Sequence, residues 1–155
     1  KLPFKNNTID VIFNLAVLEH VKYPEKVVNE ITRVLKKGGV VISLIPFIYP
    51  FHASPYDFSR RTIEGMKVLY QDFEIIELRP ACGPTSGFLS IFQEWLALIF
   101  SFGNKKLQIY LTIFFMLLTF PLKYIDFLLI KHPMAINITS EIFYVGRKVK
   151  DIESL

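Results

Sequence analysis

"LPFKNNTIDVIFNLAVLEHVKYPEKVVNEITRVLKKGGVVISLIP" runs from Leu2 to Pro46. A polar turn, Lys5-Asn6-Asn7-Thr8, gives way to Ile9–Val17, whose β-branched and aromatic residues read as a strand buried on both faces. Further on, Val27, Val28, Ile31, Val34 and Leu35 fall at i, i+1, i+4, i+7 and i+8, the apolar stripe of a helix. Pro24 suits its first turn, where no N–H is needed. Lys36 and Lys37 are expected in the last turn, facing the negative end of the dipole, with Gly38 as the left-handed stop. Val40–Pro46 is a second buried strand. Strand, helix, Gly-Gly and strand in this order predict a βαβ unit with a parallel pair.

Outward from that unit, Thr62 caps a short helix with Ile63, Met66, Leu69 and Tyr70 on one face. Gly65 weakens it by roughly 1 kcal/mol. Phe73–Arg79 alternates like a strand, and Ile136–Val149 is a further strand candidate. Between them lie two apolar segments, Phe88–Phe102 and Leu107–Leu122, joined by Gly-Asn-Lys-Lys. Each is about 15 residues, roughly 22–24 Å as helix, against roughly 20 residues for a full span. Neither is read as a span on its own; the second approaches that length only by continuing through Pro121 and Lys123. Lys105, Lys106, Lys123, Lys131 and His132 flank these segments, and Trp95 and Tyr110 suit an interface. A shallow membrane contact or a helical lid on protein both fit.

The totals bound the rest. At 155 residues, 52% hydrophobic, the chain supports one domain with a real core. A net charge of +4, with 18 scattered Lys and Arg, does not suggest nucleic acid. The single cysteine, Cys82, excludes an intrachain disulfide and fits a reducing compartment. His20, His52 and His132 are far apart in sequence and lack cysteine partners, so no metal is expected.

Several short motifs occur together: Leu2-Pro3-Phe4, Asp10-Val11, Glu19-His20-Val21 and Arg33-Val34-Leu35-Lys36-Lys37-Gly38-Gly39. In order and spacing they resemble the second half of a class I S-adenosylmethionine-dependent methyltransferase domain, of the type 11 group. The resemblance covers roughly the first 80 residues and the final strand. It implies an α/β fold: the C-terminal half of a Rossmann-like methyltransferase sheet, parallel strands plus one antiparallel C-terminal strand, with a helical apolar insert. Residues 1–87 and 133–150 then form the partial methyltransferase domain and 88–132 the hydrophobic insert between the last two strands. The family's glycine-rich loop and the acidic residue ending its second strand are not in this sequence. The resemblance therefore implies a C-terminal part of a longer domain, with its N-terminal half as missing partner and little cofactor affinity of its own.

By the same resemblance Asn14, Leu15 and Ala16, at the carboxyl edge of the first strand, line the S-adenosylmethionine. His20 is the candidate base for an acceptor proton; the competing role for it, and for Glu19, is to pin the loop. "PFHASPYDFSRRT", Pro50–Thr62, leaves the second strand at that edge and resembles a stretch found in a subset of these enzymes. His52, Tyr56, Asp57 and Arg60 are its candidate acceptor contacts, against the alternative of an Asp57–Arg60 or Asp57–Arg61 pair that shapes the loop. The implied function is methyl transfer to a small-molecule or lipid- or glycan-linked acceptor, in the cytoplasm or at the inner membrane face. The alternative is a non-catalytic module that docks on a membrane or a partner.

Overall fold

The computed structural model describes residues 1–52 and 55–149. Ala53 and Ser54 of the Pro50–Thr62 stretch, and Lys150 of the expected domain, lie outside them. The chain divides into two compact units, one of Lys1–Pro46, His52–Arg79 and the chain from Ile142, the other of Phe47–Phe51 and Pro80–Glu141.

The first unit holds a four-stranded sheet with strands β1 (Ile9–Leu15), β2 (Leu35–Pro46), β3 (Phe73–Pro80) and β4 (Glu141–Lys148), in the order β1-β2-β4-β3. Strands β1 and β2 are parallel, joined through α1 (Pro24–Val34), which is the expected βαβ unit. Where β2 ends, Phe47 N–H donates to Ser140 O and Ile48 N–H to Thr139 O. Partner numbers fall as the chain rises, the signature of an antiparallel approach by the C-terminal strand. Pro24 occupies the first helical turn of α1, and Val28, Ile31 and Val34 are its buried stripe. Full burial of each such side chain is worth about 1.5–3 kcal/mol. The short helix α2 (Ile63–Leu69) is capped as expected: Thr62 Oγ1 accepts from Gly65 N–H at 3.1 Å. Below it Tyr70 stacks on Tyr144, with ring centroids 4.5 Å apart. Lys148, buried in β4, satisfies its ammonium on Asn7 Oδ1 (2.6 Å) and Leu35 O (2.8 Å).

Several expectations change. The first strand is not buried on both faces: β1 is an edge strand, and Val11, Phe13 and Leu15 are exposed, Phe13 by 68%. Helix α1 stops at Val34, because Leu35 is already extended and pairs with Ile9. Lys36 and Lys37 therefore do not serve its last turn. The pairing jumps from Ile9–Leu35 to Val11–Val40, so the Lys-Lys-Gly-Gly segment forms a bulge in β2. Gly38 does take the left-handed conformation (φ 81°), but inside that bulge, and Lys36 Nζ pairs with Asp10 Oδ1 at 2.8 Å. The final strand is shorter than Ile136–Val149, since Ala135–Asn137 is a 3-10 turn.

The second unit is built on a helical hairpin, α3 (Pro84–Ser101) and α4 (Lys105–Thr119). Phe102 and Gly103, both left-handed, reverse the chain, and Asn104 caps α4 by accepting from the N–H groups of Lys106 and Leu107. Beyond α4 the chain continues through a 3-10 turn (Phe120–Ile125) into α5 (Asp126–Leu129). Asp126 then caps α3, its carboxylate accepting from Thr85 N–H (2.8 Å), Ser86 N–H (2.9 Å) and Ser86 Oγ (2.8 Å). A single helical run of 25 residues, Lys105–Leu129, is thus long and apolar enough to cross a membrane, and only 6% of its apolar window is buried. The second apolar segment does run on through Pro121 and Lys123, because proline at the start of a new 3-10 turn needs no N–H donor.

Candidate functional site at the tips of the first two strands

Parallel strands in register, Asn14 beside Ser43 and Leu15 beside Leu44, leave the sheet at the same edge. Asn14 is buried, and its amide donates to Ser43 Oγ (3.1 Å) and to the Tyr70 hydroxyl (3.0 Å). Its side chain thus ties the strand tip to the core. Burial pushes the Tyr70 phenol up, and its hydrogen bonds with Ser43 Oγ and the Asn14 amide only partly offset it. Leu15 is exposed, and Ala16 adopts a left-handed conformation (φ 52°) while its N–H donates to Leu44 O at 3.0 Å. A non-glycine residue there stores about 1–2 kcal/mol of strain, and the turn aims the chain into the 3-10 turn Leu18–His20.

That turn meets the loop after β2. His20 Nδ1 lies 2.5 Å from Tyr56 O, which as a carbonyl only accepts, so Nδ1 carries the proton and Nε2 the lone pair. Phe58 N–H donates to Glu19 O at 2.7 Å. The rings of His20 and His52 stand edge to face, with centroids 5.1 Å apart. The pinning role of His20 is therefore present in the geometry. Glu19 accepts from the loop through its backbone and not through its side chain. Its backbone carbonyl does the accepting, while the carboxylate, 1% exposed, has no hydrogen-bond partner for either oxygen among the described residues.

In the β2 loop the charged residues hold one another. Asp57, 2% exposed, receives Arg60 Nη1 on Oδ1 (2.5 Å) and Arg60 Nη2 on Oδ2 (2.6 Å), and His52 N–H on Oδ2 (2.9 Å). The Arg60 guanidinium above all holds the Asp57 carboxyl well below the usual carboxylate range; burial opposes it, and the His52 N–H adds to the lowering. Arg61 pairs instead with Glu25 Oε1 at 3.0 Å. Of the two pairs considered from sequence, Asp57–Arg60 is the one formed. Tyr56 is exposed, its ring 5.7 Å from that of Phe58.

All candidate residues thus gather at one edge. Asn14 and Asp57 turn inward, while Leu15, Tyr56 and the His20–His52 pair line the outside. Glu19, His20 and His52 form a group whose ligand atoms lie within 4.8 Å of one another. Sequence spacing carries no signal for it, because His52 reaches the others only through the parallel pairing of β1 and β2.

Residues 1–43 match the family model described as a methyltransferase domain. Among curated proteins, an uncharacterized protein of Methanocaldococcus jannaschii is 50% identical over 44 residues, 28% of this chain and 19% of that protein. Among solved structures, a putative sarcosine dimethylglycine methyltransferase from Galdieria sulphuraria aligns with TM-score 0.57 and 14% identity over 97% of this chain and 57% of that one. The cyclase SpnF aligns with TM-score 0.55 and 19% identity over 96% and 52%. The Haemonchus contortus phosphoethanolamine N-methyltransferase 2 complex with S-adenosylhomocysteine aligns with TM-score 0.52 and 16% identity over 95% and 35%. The chain spans about a fifth of the curated relative and roughly a third to three-fifths of these structures. The fold is that of the Rossmann-like class I methyltransferases.

Proposed function

We propose that this chain, whose fold is that of class I methyltransferases, supplies the acceptor-side half of an S-adenosylmethionine-dependent methyltransferase. The observation that carries the reading is the meeting of two loops at one sheet edge: the His20 turn after β1 and the His52–Arg60 loop after β2. Ligands of open parallel sheets sit outside the carboxyl ends of the strands. Leu15 and the Ala16 backbone then border the cofactor, with Asn14 as their anchor. The cofactor-gripping half would dock along the exposed β1 edge, where Phe13 and Val11 stand ready to be covered.

Methyl transfer is an in-line displacement at a sulfonium, so the protein's work is to position the acceptor and take its proton. His20, with its lone pair on Nε2, is the proton acceptor in this reading. Tyr56 and His52 wall the acceptor, while Asp57 and Arg60 fix the loop that carries them. The acceptor in this reading is a small molecule, free or linked to a lipid or a glycan.

A second reading, a non-catalytic membrane-docking module, draws on one feature: the Lys105–Leu129 helix keeps its apolar side chains outward. The two readings separate on one assay. The chain, expressed with any sequence its reading frame holds ahead of Lys1, is incubated with methyl-tritiated S-adenosylmethionine and membrane lipid extract. Label in the organic phase, lowered at least tenfold by His20→Ala with cofactor affinity unchanged, is the expected outcome. Protein that binds vesicles but neither binds the cofactor nor transfers label is the docking module instead.

A further inference from the structure

We propose that Glu19, His20 and His52 form a binding site for a divalent transition-metal ion such as Zn2+. Two imidazoles and a carboxylate are the donor set of open, three-ligand metal sites, in which further coordination positions stay free. Ions that demand oxygen ligands, Mg2+ and Ca2+, do not suit it.

Three observations carry the site. The first is proximity: three atoms no more than 4.8 Å apart share a point within about 2.8 Å of all of them. Metal–ligand bonds of about 2.0–2.2 Å are then reached by shifts of well under 1 Å per side chain. The second is the Glu19 carboxylate, which is 1% exposed with both oxygens unpartnered among the described residues. A carboxylate out of water and without hydrogen bonds is costly. Its neighbour across the gap is His20 Nε2, 3.9 Å from Oε1, too long for a hydrogen bond and wide enough for an ion between them. The third is the orientation of the His20 imidazole. The Tyr56 carbonyl takes the Nδ1 proton of His20 and leaves the Nε2 lone pair facing Glu19. Metal-binding histidines are fixed by this kind of outer contact. Arg60 Nη2 donates to His52 Nδ1 at 3.2 Å, so binding of an ion through Nε2 moves the ring proton to Nδ1, where the Asp57 carboxylate, 3.5 Å away, takes the place of Arg60 as its partner.

The ion site stands on this geometry alone. Its use to hold an acceptor oxygen in an open position rests on the proposed function. Holding the ion and acting as base are exclusive uses of the same His20 lone pair, so the ion would replace the base role.

The test is direct binding to the tag-free chain, dialysed against chelator and then titrated with Zn2+ by calorimetry and with Co2+ by visible absorption. One equivalent should bind, with a Co2+ ligand-field band. Glu19→Gln and His52→Ala should each weaken binding by at least about a hundredfold, and His132→Ala should not change it. His52, at the surface of the cluster, covers the case in which the Glu19 variant does not fold, which circular dichroism reports. Absence of stoichiometric binding, or binding untouched by either substitution, overturns the site. Methyl transfer in metal-free protein would then leave the base assignment of His20 standing.

Discussion

His20 and His52, one following β1 and the other β2, stand with ring centroids 5.1 Å apart in an edge-to-face contact. That contact is held from outside the pair. Tyr56 O fixes one ring, and Asp57 fixes the backbone N–H of the other. The loop geometry therefore depends on Asp57 more than on either histidine.

Asp57→Asn should remove the forked contact with Arg60 and cost about 2–3 kcal/mol, below the usual range for a fully buried pair because Arg60 is 23% exposed. The folded-state pKa of Asp57 is depressed. Its contribution is thus present above the ordinary carboxylate pKa, about 4, and is lost as pH falls below that toward the folded value. Thermal melts of wild type and variant should differ most at neutral pH and converge in acid. An equal gap at both pH values would place the loss outside the ionised Asp57–Arg60 pair.

Tyr70→Phe removes an acceptor from the Asn14 amide and a donor from Ser43 Oγ. At neutral pH the loss should be about 1–3 kcal/mol, the usual value of two hydrogen bonds. The phenol is pushed up by burial, so the wild type should lose stability as pH rises above about 10, where the unfolded chain ionises. The variant should lose less over that interval. Denaturant unfolding at neutral and alkaline pH measures both effects, and an alkaline loss as steep in the variant would place its origin elsewhere.

The two glycines of the β2 bulge should behave differently. An added Cβ at Gly39 would stand 2.8 Å from Lys36 O and 3.1 Å from Asp10 O, backbone atoms that cannot step aside. Gly39→Ala should cost about 1–3 kcal/mol through that overlap. Gly38 has open space but φ 81°, so Gly38→Ala should cost about 1–2 kcal/mol, and Gly38→Asn less. If Asn is no better than Ala at position 38, backbone strain is not the cause.

The βαβ unit was legible because periodicity and motif spacing agree over Ile9–Pro46. Thr62 was legible as a cap for the same local reason. The Lys36–Gly39 bulge was not, since it is decided by pairing with Asp10 and Val11 on another strand. The outward face of β1 is not legible, because an apolar run reads the same whether a neighbour covers it or not. Nothing in the sequence joins Glu19 and His52, because only the parallel register of two strands brings their loops together.

The hairpin carries the last prediction. Along its inner face the polar side chains pair: Gln93 Nε2 donates to Thr119 Oγ1 at 2.7 Å, and Gln108 and Thr112 donate to the two oxygens of Glu94. Trp95, Tyr110, Phe114 and Leu117 are exposed on the hairpin, and Phe127 on α5. Polar groups turned inward and apolar groups outward suit a lipid environment. The chain should float with phospholipid vesicles on a density gradient. Charge placed centrally on the outer face, Phe114→Lys with Leu117→Lys, should lower the bound fraction at least a hundredfold, since each costs about 2.5–3.5 kcal/mol in the hydrocarbon. Gln93→Leu should leave flotation intact while loosening the hairpin itself. Wild-type protein that stays at the bottom of the gradient, or a doubly charged variant that floats equally well, would mean that protein rather than lipid covers this face.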